Sequence, residues 1–140
     1  MKLIKATTQG DIVSCMLIRT IVFMHEQHVD PLLEIDEDDK HCEHYLVKYK
    51  DKDVACARIL KHDTYWQVGR IAVLKEYRKH HFGSFLLEEI TKLANKENVN
   101  KLILGAQKQA VPFYEKNGYS VCGAMYMDAN IEHYPMEKFL

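Results

Sequence analysis

Residues 2–7 alternate polar and apolar side chains with the period of two that predicts a short strand, and Thr8-Gln9-Gly10-Asp11 then supplies capping side chains for a helix. Ile12, Met16, Arg19 and Phe23 fall along one face of that helix, with Leu17 and Ile21 beside them, which predicts an amphipathic segment ending near His25. Residues 30–40 carry Pro31, Glu34, Asp36, Glu37, Asp38 and Asp39. That stretch is too polar to pack as an element and is expected to be an exposed acidic loop. Two short apolar runs, 45–49 and 54–60, flank Lys50-Asp51-Lys52-Asp53 and predict a hairpin with a polar turn. His62-Asp63-Thr64 makes the next turn, into a third strand over 65–74.

The third strand changes phase. Trp66 and Val68 share one parity and Ile71 and Val73 the other, with the change at Gly69-Arg70. Either a β-bulge sits there, since one inserted residue shifts every later side chain to the opposite face, or the strand is buried on both faces and parity carries no information. Phe82, Phe85, Leu86, Ile90, Leu93 and Ala94 recur at three- and four-residue spacing and predict a helix stopping near Asn98. Residues 101–106 form an apolar run suited to an interior strand, and a short helix over 110–117 is expected to stop at Gly118. Two further strands, 119–126 and 133–139, close the chain. A hairpin block followed by a strand-helix-strand crossover describes an α/β fold built on one mixed sheet.

At 140 residues and 47% hydrophobic, the chain can bury one core and is expected to be a single domain over 1–140. Its 19 basic and 20 acidic side chains nearly cancel, so nothing draws it globally to nucleic acid or to a membrane, and an anionic ligand needs a local site. No signal-like start and no stretch of ~18 apolar residues is present, which sets the expectation of a cytoplasmic protein. Cys15, Cys42, Cys56 and Cys122 are too scattered to suggest a disulfide framework or zinc ribbon. His41-Cys42-Glu43-His44 holds ligand-type residues, but alternating positions at a strand start cannot converge on one ion, so no metal is expected.

Two segments carry chemistry. Residues 71–84 run from an apolar strand through the basic Arg78-Lys79-His80-His81 into Phe82-Gly83-Ser84 at a helix start, where free amides and the helix dipole favour phosphate. Ala110-Val111-Pro112 followed by Phe113-Tyr114-Glu115-Lys116-Asn117-Gly118-Tyr119 sets adjacent aromatics on a short helix, one for the core and one for a surface or site. Together they resemble the GNAT family of acetyl-CoA-dependent N-acetyltransferases. Arg78 and Gly83 match the family's phosphate-loop signature, with His81 where its first glycine is usual, and residues 113–119 match its later aromatic motif throughout. Residues 22–29, 34–36, His44, 106–107 and 131–133 further resemble a small bacterial subgroup of undefined substrate.

The resemblance implies a mostly antiparallel central sheet flanked by helices, with a splayed, bulged strand. It implies acetyl-CoA as co-substrate, bound along Ile71, Ala72 and Val73, at the loop Arg78, Lys79, His80, His81, Phe82, Gly83 and Ser84, and by Gln107 and Tyr114. Backbone near Val73 would meet the thioester oxygen and Tyr114 would serve as the acid for the departing thiolate. For the base that takes a proton from the attacking amine, Glu26 and His44 stand as candidates. The implied reaction is direct attack by a primary amine of a small molecule or protein in a ternary complex. The alternative is a sensor or interaction module that binds acetyl-CoA without turnover. A homodimer stays open.

Overall fold

The computed structural model describes all of residues 1–140. One sheet collects every strand: β1 (Lys2–Lys5), β2 (Glu43–Tyr49), β3 (Lys52–Lys61), β4 (Tyr65–Val73), β5 (Lys101–Gln107), β6 (Ser120–Val121), β7 (Tyr126–Asp128) and β8 (Ile131–Phe139). Their order is β1-β2-β3-β4-β5-β8-β6, with β7 also on β8. Every pairing is antiparallel except β4 with β5. Lys50 and Asp51 both take left-handed φ, 47° and 64°, as a tight hairpin between β2 and β3 requires.

Helix α1 (Gln9–Arg19) starts where expected, with the Asp11 amide donating to Thr8 Oγ1 at 3.1 Å. After Arg19 the backbone widens into a π-helical segment over Thr20–Glu26, a geometry that often accompanies functional sites. α2 (Pro31–Glu34), α3 (Phe82–Lys96) and α4 (Val111–Lys116) follow. The two faces of the sheet sort by parity. Tyr45, Val47, Ala55, Ala57 and Ile59 pack with Leu86, Leu87 and Ile90 of α3, while Leu46 and Cys56 pack with Cys15, Ile18 and Val22 beneath α1.

β4 breaks that parity, which decides between the two readings of its phase change in favour of a bulge. Cys56 pairs with Ala72 but Arg58 with Gly69, leaving Arg70 and Ile71 opposite Ala57 alone. Trp66 and Val68 therefore face α3 while Ala72, of the same parity, faces α1. The left-handed residue of the bulge is Arg70 (φ 48°), not the neighbouring glycine.

Two expectations are corrected. The predicted strand 119–126 is split into β6 and β7: Val121 pairs with Met136 and Tyr126 with His133, so four residues face two. Pro135 sits at the break without an N–H to give a ladder, although its carbonyl still accepts the Cys122 amide at 2.9 Å. The larger correction concerns residues 30–40. Glu34 is only 2% exposed, and Arg19 beneath it 1%. Arg19 from α1, Arg58 from β3 and Arg70 from the bulge meet Glu34, Asp36 and Asp39 in an interlocked network with contacts of 2.7–3.2 Å. Three guanidinium groups face three carboxylates, so Glu34, Asp36 and Asp39 are paired inward, while Asp30, Glu37 and Asp38 of the same stretch stay exposed.

Candidate active site

β4 and β5 pair only at Tyr65 with Lys101, Trp66 with Leu102 and Gln67 with Ile103. Beyond that point they part into a V, whose outer edges remain fixed by β3 and β8. The gap between them continues into a cleft of about 1050 Å³. Ile71, Ala72 and Val73 line it from β4, and Leu104, Gly105 and Gln107 from β5. The Leu74 amide turns toward β3, donating to Val54 O at 3.0 Å. Since successive peptide groups alternate in a strand, the Val73 and Ile71 groups turn to the opposite edge, the one that β5 has left.

Past the open end of the V the loop after β4 enters α3. Lys79 and His81 both hold left-handed φ, 64° and 66°. His81 therefore keeps the backbone that a glycine would adopt freely, and Lys79, His81, Gly83 and Ser84 line the cleft. No side chain caps α3, and the first amide to find a carbonyl is Phe85, bonded to His81 O at 2.9 Å. The amides of the first turn before it are thus presented as anion donors. Gly83 serves packing: a Cβ there would lie 2.9 Å from the Phe113 ring. Phe82 anchors the turn edge-on to Tyr49 and Tyr77. His80 does not line the cleft.

Tyr114 on α4 lines the cleft beside this loop, and burial pushes its hydroxyl well above the ordinary tyrosine value, keeping it protonated. Gln107 ends β5, its Nε2 donating to Gln27 Oε1 at 2.8 Å and its Oε1 accepting from Gln109 at 2.6 Å. Arg78 lines the cleft but its guanidinium is engaged: Nε donates to Val73 O at 3.0 Å, and Nη2 to both Glu26 oxygens at 2.8 and 3.0 Å.

The two candidate bases are not brought to the cleft. His44 is buried under the 37–40 turn with Nε2 3.0 Å from Asp39 O, a supporting position set by β2. Glu26 is turned onto Arg78. The opposite wall, which sequence reasoning missed, comes from Phe23, Gln27, Arg70, Tyr126, Asp128 and His133. Gly105 was its one sequence signal: a Cβ there would collide with the Tyr126 hydroxyl, whose ring stacks on His133 with centroids 5.6 Å apart. Arg58 and Arg70 reach this wall already paired. Burial works to raise the Asp39 carboxyl, but hydrogen bonds and charge from Arg19, with a further bond from Arg58, hold it well below the usual range. A hydrogen bond from Arg58 likewise holds Asp36 low, against partial burial.

The model of the family described as "Acetyltransferase (GNAT) domain" matches residues 2–140. A Bacillus subtilis (strain 168) protein described as an uncharacterized N-acetyltransferase, YjcF, is 36% identical over 139 residues, covering 99% of each chain. Among solved structures, Escherichia coli ElaA superposes with a TM-score of 0.87 at 26% identity, covering 99% of each chain. A GNAT family acetyltransferase from Elizabethkingia anophelis, solved with acetyl-CoA bound, shares the fold with a TM-score of 0.74 at 17% identity, covering 99% of this chain and 97% of that one.

Proposed function

Because the chain belongs to the GNAT family of acetyltransferases, we propose that it moves the acetyl group of acetyl-CoA to a primary amine by direct attack within a ternary complex. One observation carries this reading: the unpaired edge of β4 and the uncapped start of α3 open onto the same cleft. An amide-bearing arm can add to the free edge like an extra strand while its phosphates meet the first-turn amides, assisted by Lys79. That donor set, backbone N–H groups at both ends and one lysine, suits acetyl-CoA.

The Val73 N–H, directed into the gap, would hold the thioester oxygen as negative charge builds there. Tyr114 would donate a hydrogen bond from its hydroxyl to the departing sulfur. A thiol has a pKa of ~8.5, so the buried phenol is the weaker acid and keeps its proton; as the new C–N bond forms and the C–S bond breaks, coenzyme A leaves as a hydrogen-bonded thiolate and the amine gives up one proton. With Glu26 and His44 turned away from the cleft, the amine proton passes to water at its open mouth. Tyr114 in the cleft also favours turnover over a sensor that binds without chemistry.

The test is thiol release from acetyl-CoA over a panel of amines, with a parallel thermal shift. At one hundred times its dissociation constant, a ligand stabilises by ~2.7 kcal/mol. A rise in Tm with amine-dependent thiol release is expected. An unchanged Tm at saturating acetyl-CoA would sink the proposal, and binding without release would leave the sensor reading.

A further inference from the structure

Glu26 and Gln27 are consecutive residues at the end of the π-helical segment, and each reaches a different arm of the V. Glu26 takes Arg78 Nη2 at 2.8 and 3.0 Å, while Nε of the same guanidinium donates to Val73 O, at the end of β4. Gln27 takes Gln107 Nε2 at 2.8 Å, at the end of β5, and Gln107 is held in turn by Gln109. Past Gln67 and Ile103 neither strand has a sheet partner on the edge facing the other. Their opened ends are therefore bridged by side chains, through a single dipeptide. The dipeptide itself is fixed: the Val29 amide donates back to Phe23 O at 2.9 Å, and His28 between takes a left-handed φ of 58°.

We infer that Glu26 and Gln27 form a clasp across the mouth of the V, which sets the separation of β4 and β5 and so positions the thioester carbonyl for attack within the cleft. The width matters because an arm lying between two strands as an added strand needs them about 10 Å apart, twice the ~4.8 Å strand spacing. A wider gap loses one set of hydrogen bonds, and a narrower one excludes the arm. On this inference Glu26 is a positioning residue rather than the base, and Arg78 acts at the thioester end rather than on phosphate. It rests on the acetyl-transfer reading for its kinetic consequences, but the geometry of the clasp does not.

The experiment compares Glu26→Gln, Arg78→Gln, Gln27→Ala and the double variants Glu26→Gln/Arg78→Gln and Glu26→Gln/Gln27→Ala with the wild-type chain. Displacing a reacting group by ~1 Å can cost on the order of a hundredfold, so each single variant is expected to lose about tenfold or more in kcat. Glu26→Gln/Arg78→Gln should lose no more than either single variant, because both cut the same arm. Glu26→Gln/Gln27→Ala should lose more than either, and the pH profile of kcat/KM should keep its shape throughout.

Amide hydrogen exchange supplies a readout independent of turnover. Residues 70–73 and 104–107 should exchange faster in Glu26→Gln/Gln27→Ala at unchanged Tm. Full kcat in Glu26→Gln and Arg78→Gln, unaltered exchange in both strand ends, or loss of the acidic limb of the pH profile in Glu26→Gln would each overturn the clasp, the last by restoring Glu26 as base. If the wild-type chain acetylates no amine while exchange responds as described, the acetyl-transfer reading fails and the clasp stands.

Discussion

Replacing Glu34 by Gln tests whether the acidic segment is packed or solvated. Glu34 accepts from Arg19 Nε at 3.0 Å through both oxygens and pairs with Arg70 Nε at 2.7 Å, at a side-chain exposure of 2%. A glutamine there turns an N–H₂ group toward one of the two guanidinium groups and leaves buried positive charge short of a partner. Breaking a buried pair typically costs 3–5 kcal/mol. Arg19 keeps Asp39 at 2.7 and 3.1 Å and the Glu34 carbonyl at 2.9 Å, which places the loss at the lower end, about 3 kcal/mol. For a chain of this length that is ~9 °C in Tm, and ~1.5 M in the urea midpoint at unchanged slope. Glu37→Gln is the internal control: its side chain is 86% exposed and pairs only with Lys40, so its stability should move by less than ~0.5 kcal/mol. Urea unfolding at pH 7 of both variants is the assay. A loss below ~1 kcal/mol for Glu34→Gln, the scale of an exposed ion pair, would refute the packed network.

Three further outcomes are expected. His81→Gly relieves a left-handed backbone worth ~1–2 kcal/mol and returns ~0.5–1 kcal/mol in chain entropy, so Tm should rise by ~2–3 °C with acetyl-CoA affinity held or increased; weaker binding by calorimetry would show that the imidazole contacts the ligand. Tyr114→Phe should lower kcat by at least ~100-fold while leaving the acetyl-CoA dissociation constant unchanged, and a variant of full rate would remove Tyr114 from the chemistry. Asp36 and Asp39 have carboxyls held below their unfolded value of ~3.9, so the stability they contribute is full above that pH and is lost as pH falls through their lower folded values. Urea midpoints from pH 6 to pH 2 should drop in that acid window, and by less in Asp39→Asn measured against its own pH 6 value.

The elements legible from the sequence are those whose cause is local. The three- and four-residue spacing from Phe82 to Ala94 determines which face of α3 is buried, because a helix brings those positions together whatever surrounds it. The phase change in β4 pointed to a bulge or to a strand buried on both faces, since parity is fixed by the backbone, and the register with β3 decides for the bulge. That the loop before α3 and Tyr114 border one cleft could be anticipated because helix start, basic residues and aromatic motif lie within short contiguous segments. What only the tertiary structure decided depends on partners far along the chain. Glu34 looks solvated until Arg19 and Arg70 arrive from 15 and 36 residues away. Glu26 looks like a candidate base until Arg78, 52 residues on, takes it up, and nothing local marks Gln27 as the partner of Gln107, 80 residues on. A charged or amide side chain carries no periodic signal of its pairing, and its solvation changes sign with burial, so composition alone could not single out Glu34 as the buried member of an otherwise mostly exposed stretch.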